Sequence, residues 1–101
     1  MILELAQIRV IAGQNAAFEA AVAEAASVFA RAPGCRGLQL LRGLEAPDSY
    51  SVLIGWDTLE AHTVDFRSSP LFQEWRALVG PHFAAPPQVS HHAIALPQVS
   101  F

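Results

Sequence analysis

At 101 residues, with a formal charge of −3 and no cluster of basic residues, the chain has room for one ordinary core. It lacks the concentrated positive charge that nucleic acids and anionic membranes demand. Just over half of it is apolar and only 15% is charged, rich for so small a unit, so part of that apolar surface is expected to meet a partner.

Ile2 to Val10 carries β-branched and leucine residues up to the punctuation at Gly13 and reads as a strand, covered on both faces because each mixes apolar with only one or two polar groups. From Asn15, a candidate N-cap, to Ala32, the residues Phe18, Ala21, Val22, Ala25, Phe29 and Ala32 fall on one stripe with Glu19 and Glu24 away from it. That spacing predicts an amphipathic helix ended by Pro33-Gly34. Arg36 to Leu44 and Tyr50 to Asp57 read as two strands of a hairpin turning at Ala46-Pro47-Asp48-Ser49.

Asp57 or Thr58 caps a short helix whose apolar face is Leu59, His62, Thr63 and Phe66, and Asp57 with Glu60 has the spacing of a capping box. Ser69-Pro70 restarts the helix, with Leu71, Phe72, Trp75, Leu78 and Val79 as its buried stripe, and Gly80-Pro81 stops it. Val89 to Leu96 reads as a last strand. The order is β-α-β-β-α-β: an α+β, ferredoxin-like fold with a four-stranded antiparallel sheet and helices on one face. One domain over residues 1–101 is expected, its core at about 2–96 and a short tail at 97–101. The uncovered face predicts a homodimer with isologous contacts. Pro87-Gln88-Val89-Ser90 recurs as Pro97-Gln98-Val99-Ser100, but two short copies make no repeat architecture.

Cys35 is the only cysteine, which excludes an intrachain disulfide and cysteine-rich zinc. There is no basic leader and no stretch long enough to span a bilayer, so a cytoplasmic location is expected. A Gly-rich phosphate loop, a nucleophile elbow and a His-Glu-x-x-His pair are all missing, so no cofactor and no metal are expected. His62 shares a face with Leu59 and Phe66, where a partly buried imidazole suits a general base, and Asp65 one turn on would orient it. The competing reading is a core-edge histidine satisfied by a backbone carbonyl. His91 and His92 point to opposite faces of a strand, so at most one lines a pocket, and His82 beside a helix stop is expected to be exposed. Tyr50, Phe66 and Trp75 are candidates for an aromatic pocket as well as for the core, while Trp56 and Phe72 read as core. Glu4 either meets an arginine (Arg9, Arg36 or Arg42), across strands or across the dimer, or points into a polar spot of the pocket.

Taken together, Ile2 to Val10 with Gly13, Pro33-Gly34-Cys35-Arg36-Gly37, Trp56-Asp57-Thr58-Leu59-Glu60-Ala61-His62 and Ser69-Pro70-Leu71-Phe72 resemble the antibiotic biosynthesis monooxygenase family. The resemblance implies a dimeric α/β barrel with a pocket between sheet and helices in each subunit. It also implies, as one activity of the family, oxidation of a quinol-like or polyphenolic substrate by dioxygen without metal or flavin, the deprotonated substrate itself reducing oxygen. The haem-degrading branch of the family places an Asn, a Trp and a His where Ala6, Phe66 and Arg76 stand here, so the resemblance does not extend to haem ligation of that type. A dimeric module that only binds an apolar metabolite, and an isomerase or lyase on the same barrel, are the rival expectations.

Overall fold

The computed structural model describes residues 1–101. Strands β1 (Ile2–Arg9), β2 (Cys35–Arg42), β3 (Ser49–Trp56) and β4 (Gln88–Ala93) form one antiparallel sheet in the order β2-β3-β1-β4. Helices α1 (Asn15–Ala30) and α2 (Pro70–Val79) cover one face, giving the ferredoxin-like arrangement. Strand alternation then divides the residues cleanly. Ala6 and Ile8 of β1 and Tyr50, Val52, Ile54 and Trp56 of β3 face the helices and are buried. On the other side Leu3, Leu5 and Leu53 are partly buried, and Leu41 is exposed. No helix of the chain is long and apolar enough to cross a membrane.

The α1 stripe is buried as its spacing requires, with Val28 added. Asn15, however, is the first helical residue and caps nothing; its amide donates instead to the Pro47 carbonyl at 2.9 Å and the Tyr50 hydroxyl at 3.1 Å. The helix ends two residues early because Arg31 and Ala32 bond to carbonyls three residues back, tightening the last turn before Gly34 enters the left-handed region at φ +82°. β4 stops at Ala93 rather than Leu96: Ala93 pairs with Ile2, the first residue of β1.

The largest departure is the segment before α2. Ala61–Phe66 is a π-helical turn, with the Arg67 amide donating to the His62 carbonyl five residues back. Hydroxyls of Thr63 and Ser68 donate to the carbonyls of Leu59 and Val64, four residues back, which competes with regular α-helical bonding. The wider turn buries Ala61, His62 and Phe66 and leaves Leu59 exposed, against the α-helical spacing. Thr58 is the cap, its Oγ1 accepting the Ala61 amide at 3.1 Å. No Asp57–Glu60 capping box forms, because Asp57 is held by Arg36.

Candidate functional site

β1 supplies the floor. Its alternation turns Glu4, Ala6 and Ile8 toward the helices, and the sheet register flanks Glu4 with Ile54 on β3 and His91 on β4. Above this floor lies a cavity of about 630 Å³. The π-helical turn contributes His62 and Phe66, α1 contributes Phe29, and α2 contributes Phe72 and Trp75. The segment from Phe83 to Pro87 closes one side, and Arg67 and Arg76 also border the space. The aromatic wall is continuous: Phe29 and Phe66 stack with centroids 5.2 Å apart, Trp75 meets Phe29 edge-on at 4.9 Å, and Phe72 meets Phe66 edge-on at 5.8 Å.

A chain of polar contacts crosses the floor of the cavity. Trp56 Nε1–H donates to Glu4 Oε1 at 3.0 Å, and His62 Nε2 lies 3.2 Å from the same oxygen. His62 Nδ1 is 2.8 Å from His91 Nε2. Glu4 and His62 are 5% and 3% exposed, so neither is hydrated in the ordinary way. Burial, reinforced by the charges of Arg67 and His91, pushes the His62 imidazole down to about 4. Burial likewise raises the Glu4 carboxyl above its usual range, against the Trp56 hydrogen bond and Arg67. The His62 imidazole is therefore neutral at neutral pH, and its approach to Glu4 is a close polar contact rather than an ion pair. The tautomer with its hydrogen on Nε2 turns that hydrogen toward the Glu4 side and leaves Nδ1 to accept from His91 Nε2–H. Both His62 nitrogens therefore face a polar neighbour. His91 is lowered too, by burial first and then by Arg67 and His92.

Glu4 Oε2 has no hydrogen bond within the chain, yet no buried side-chain nitrogen or oxygen is left unsatisfied. Oε2 is therefore the oxygen that reaches open space, and Glu4 lines the cavity. An accessible carboxylate oxygen of raised basicity, on a group held by the Trp56 N–H and packed against His62, can accept a proton. No group of three His, Cys, Asp or Glu side chains is disposed to hold a metal ion.

Of the residues singled out in the sequence, His62, Phe66, Trp75 and Glu4 meet at this cavity, and His91 joins through its bond to His62. Three do not. Asp65 is exposed, with no bond to His62, because the π-helical turn rotates it outward; Glu4 is the carboxylate His62 meets. His92 faces the opposite side of the sheet, where it bonds Ser90. Tyr50 is buried at the far end of β3, its hydroxyl donating to Glu19 Oε2 at 2.6 Å and accepting from Asn15. Glu4 meets Trp56 and His62 instead of an arginine of a neighbouring strand; of those, Arg36 pairs with Asp57 and Arg42 with Glu19. His82 is half-buried, its Nδ1 2.8 Å from Gln14 Oε1, rather than exposed. Trp56 is wholly buried as core, but its indole N–H is a working part of the site. Arg67 was missed; the signal was a cation one residue after a buried Phe66.

The sequence model of the family described as antibiotic biosynthesis monooxygenase matches residues 1–78. The chain is 34% identical over 91 residues to the Bacillus subtilis protein YczJ, covering 90% of this chain and 96% of that one. It superposes with a TM-score of 0.92 on the crystal structure of a Bordetella bronchiseptica protein assigned to the same monooxygenases, at 52% identity over 94% of this chain and 97% of that chain. SnoaB of Streptomyces nogalater, described as a cofactor-independent oxygenase and solved as a point mutant, shares the fold with a TM-score of 0.76 at 23% identity, over 96% of this chain and 97% of that chain. The chain belongs to the antibiotic biosynthesis monooxygenase family.

Proposed function

We propose that the protein is a cofactor-independent monooxygenase that oxidises a quinol-like or polyphenolic aromatic molecule with dioxygen. The observation that carries this reading is the Glu4 carboxylate, buried on the floor of an aromatic cavity, with one oxygen held by Trp56 and close to His62 and the other free. A planar phenol stacks among Phe66, Phe72 and Trp75 and passes its hydroxyl proton to Glu4 Oε2. The resulting anion is the reductant: it gives an electron to dioxygen, and the two recombine at a ring carbon that bears hydrogen. Glu4 returns its proton to make the hydroperoxide, and loss of the ring hydrogen as a proton breaks the O–O bond, so one oxygen stays on the ring as a carbonyl of the oxidised quinone and the other leaves with the two hydrogens as water. The base of this scheme is Glu4, with His62 as the group packed beside it, because the imidazole is already bonded to His91 at Nδ1 and turned toward Glu4 at Nε2. SnoaB lends support as a relative in fold that works without a cofactor. The working unit is a homodimer, the two sheets packing face to face through the side that the helices leave open.

The test is oxygen consumption by metal-stripped protein over a panel of hydroquinones, naphthoquinols and anthrones. Glu4→Gln keeps the shape and the Trp56 bond and is expected to lower kcat by about 10²–10⁴-fold, the usual worth of a general base. His62→Ala is expected to lower it as well, by releasing the carboxylate. Silence of the unaltered protein across the panel, with ligand binding retained, would move the assignment to a non-catalytic binding module.

A further inference from the structure

The six basic residues of the chain are all arginines. Arg31 pairs with Glu74, Arg36 with Asp57 and Arg42 with Glu19, while Arg9 is exposed to water at the end of β1. Arg67 and Arg76 are exposed and, like Arg9, have no carboxylate partner and no side-chain hydrogen bond, but these two border the aromatic cavity, whereas Arg9 borders a separate hollow beside β2 and β3. Nine acidic residues are present in a chain of net charge −3, so the lack of a partner at this rim is no shortage of carboxylates. Arg76 lies over the Phe72 ring with its guanidinium carbon 5.8 Å from the centroid, which holds it against the aromatic wall. The one acid of the cavity, Glu4, is engaged by Trp56 and His62 on the floor.

From this asymmetry we infer that the cavity takes an acidic aromatic ligand, in which a carboxylate separate from the reacting hydroxyl is held by Arg67 and Arg76. The inference rests on the reading of the cavity as an aromatic-substrate site and names the class of substrate it selects. A guanidinium presents a planar fork of donors that matches a carboxylate, and two such forks at an apolar cavity favour a doubly contacted anion over a neutral ring. Such an anchor also decides which way round the ring enters: the carboxylate stays at the arginine rim, and the hydroxyl is directed to the Glu4 floor. A neutral quinol has no such constraint. Non-productive orientations then compete with productive ones.

The experiment is anaerobic titration calorimetry, so that no turnover intervenes, with 1,4-dihydroxy-2-naphthoate and its methyl ester as the probes. The acid is expected to bind about 10–100-fold more tightly than the ester at low ionic strength, the ordinary worth of charge-assisted hydrogen bonds, with the gap shrinking as salt is added. Arg67→Gln and Arg76→Gln should each narrow the gap and the double variant should close it, the ester reporting that the cavity still forms. Equal affinity of acid and ester for the unaltered protein, or a preference that survives in the double variant, would overturn the inference. Oxygen uptake in air separates it from the proposed function. Tight binding of the acid without uptake removes the oxygenase and leaves the acidic-ligand site standing, whereas uptake with acid and ester bound alike removes the site and leaves the oxygenase. Failure of both probes to bind would overturn the two together.

Discussion

His62 shows what burial does to an ordinary imidazole. It is stacked on Trp56 with ring planes 24° apart and centroids at 5.2 Å, and its charged form is disfavoured down to about 4. A histidine of lowered folded pKa stabilises the fold fully above its unfolded value of about 6.5, and that contribution is lost as pH falls toward the folded value. The loss amounts to about 3 kcal/mol by the time the group is protonated in both states. Glu4 acts with the opposite sign, since its raised folded pKa means that acid relieves a buried charge. Denaturation monitored by circular dichroism between pH 7 and 4 should therefore show falling stability for the unaltered protein. In His62→Phe that fall should shrink, because the larger imidazole contribution is gone and Glu4 opposes what remains of His91. A fall of the same size in the variant would show that His62 is not the acid-sensitive group. At this scale the sequence revealed the residue types but not their partners: alternation says that only one of His91 and His92 can face the helices, and only the pairing of Glu4 with His91 says which.

The regular elements were legible because their spacing is their cause. The α1 stripe and the alternating β3 residues bury as a period of 3.6 or 2 requires. The π-helical turn was not legible, because its wider winding shifts the phase of the residues in it, burying Ala61 beside His62 and Phe66 while Leu59 just before it is exposed. Position along a strand was hidden as well, which is why Tyr50 shares the face of Trp56 and yet sits far from the cavity. The turn is seated on Gly34: a Cβ added there would lie 2.9 Å from the Ala61 Cβ, at a φ of +82°. Gly34→Ala should cost about 2–4 kcal/mol, left-handed strain plus overpacking against the element that carries His62. Gly13 has a similar φ of +86° with nothing within 4 Å, so Gly13→Ala should cost only about 1–2 kcal/mol for strain. Thermal unfolding of the two variants side by side checks the difference; equal losses would mean that Ala61 moves aside freely.

At the scale of the whole molecule, the sheet has one face packed under helices and one face bearing Leu3, Leu5, Leu41 and Leu53. The strand pattern showed this directly, since both faces of β1 carry leucine or isoleucine. Two copies joined through that face would each cover on the order of 800 Å², the standard scale of a stable interface. Leu53→Arg, at the middle of β3 and opposite Leu5, should convert the proposed dimer to a monomer by light scattering without touching the cavity. A variant that remains dimeric would place the interface elsewhere.

The Trp56 indole, wholly buried, donates its N–H to Glu4 while stacking on His62. It is therefore an intrinsic optical probe of the two groups that hold and move the proton. With Trp75 replaced by phenylalanine, the Trp56 emission colour should follow the charge on Glu4 and its brightness the charge on His62, so that the protonation state of the site can be followed during a reaction without any label.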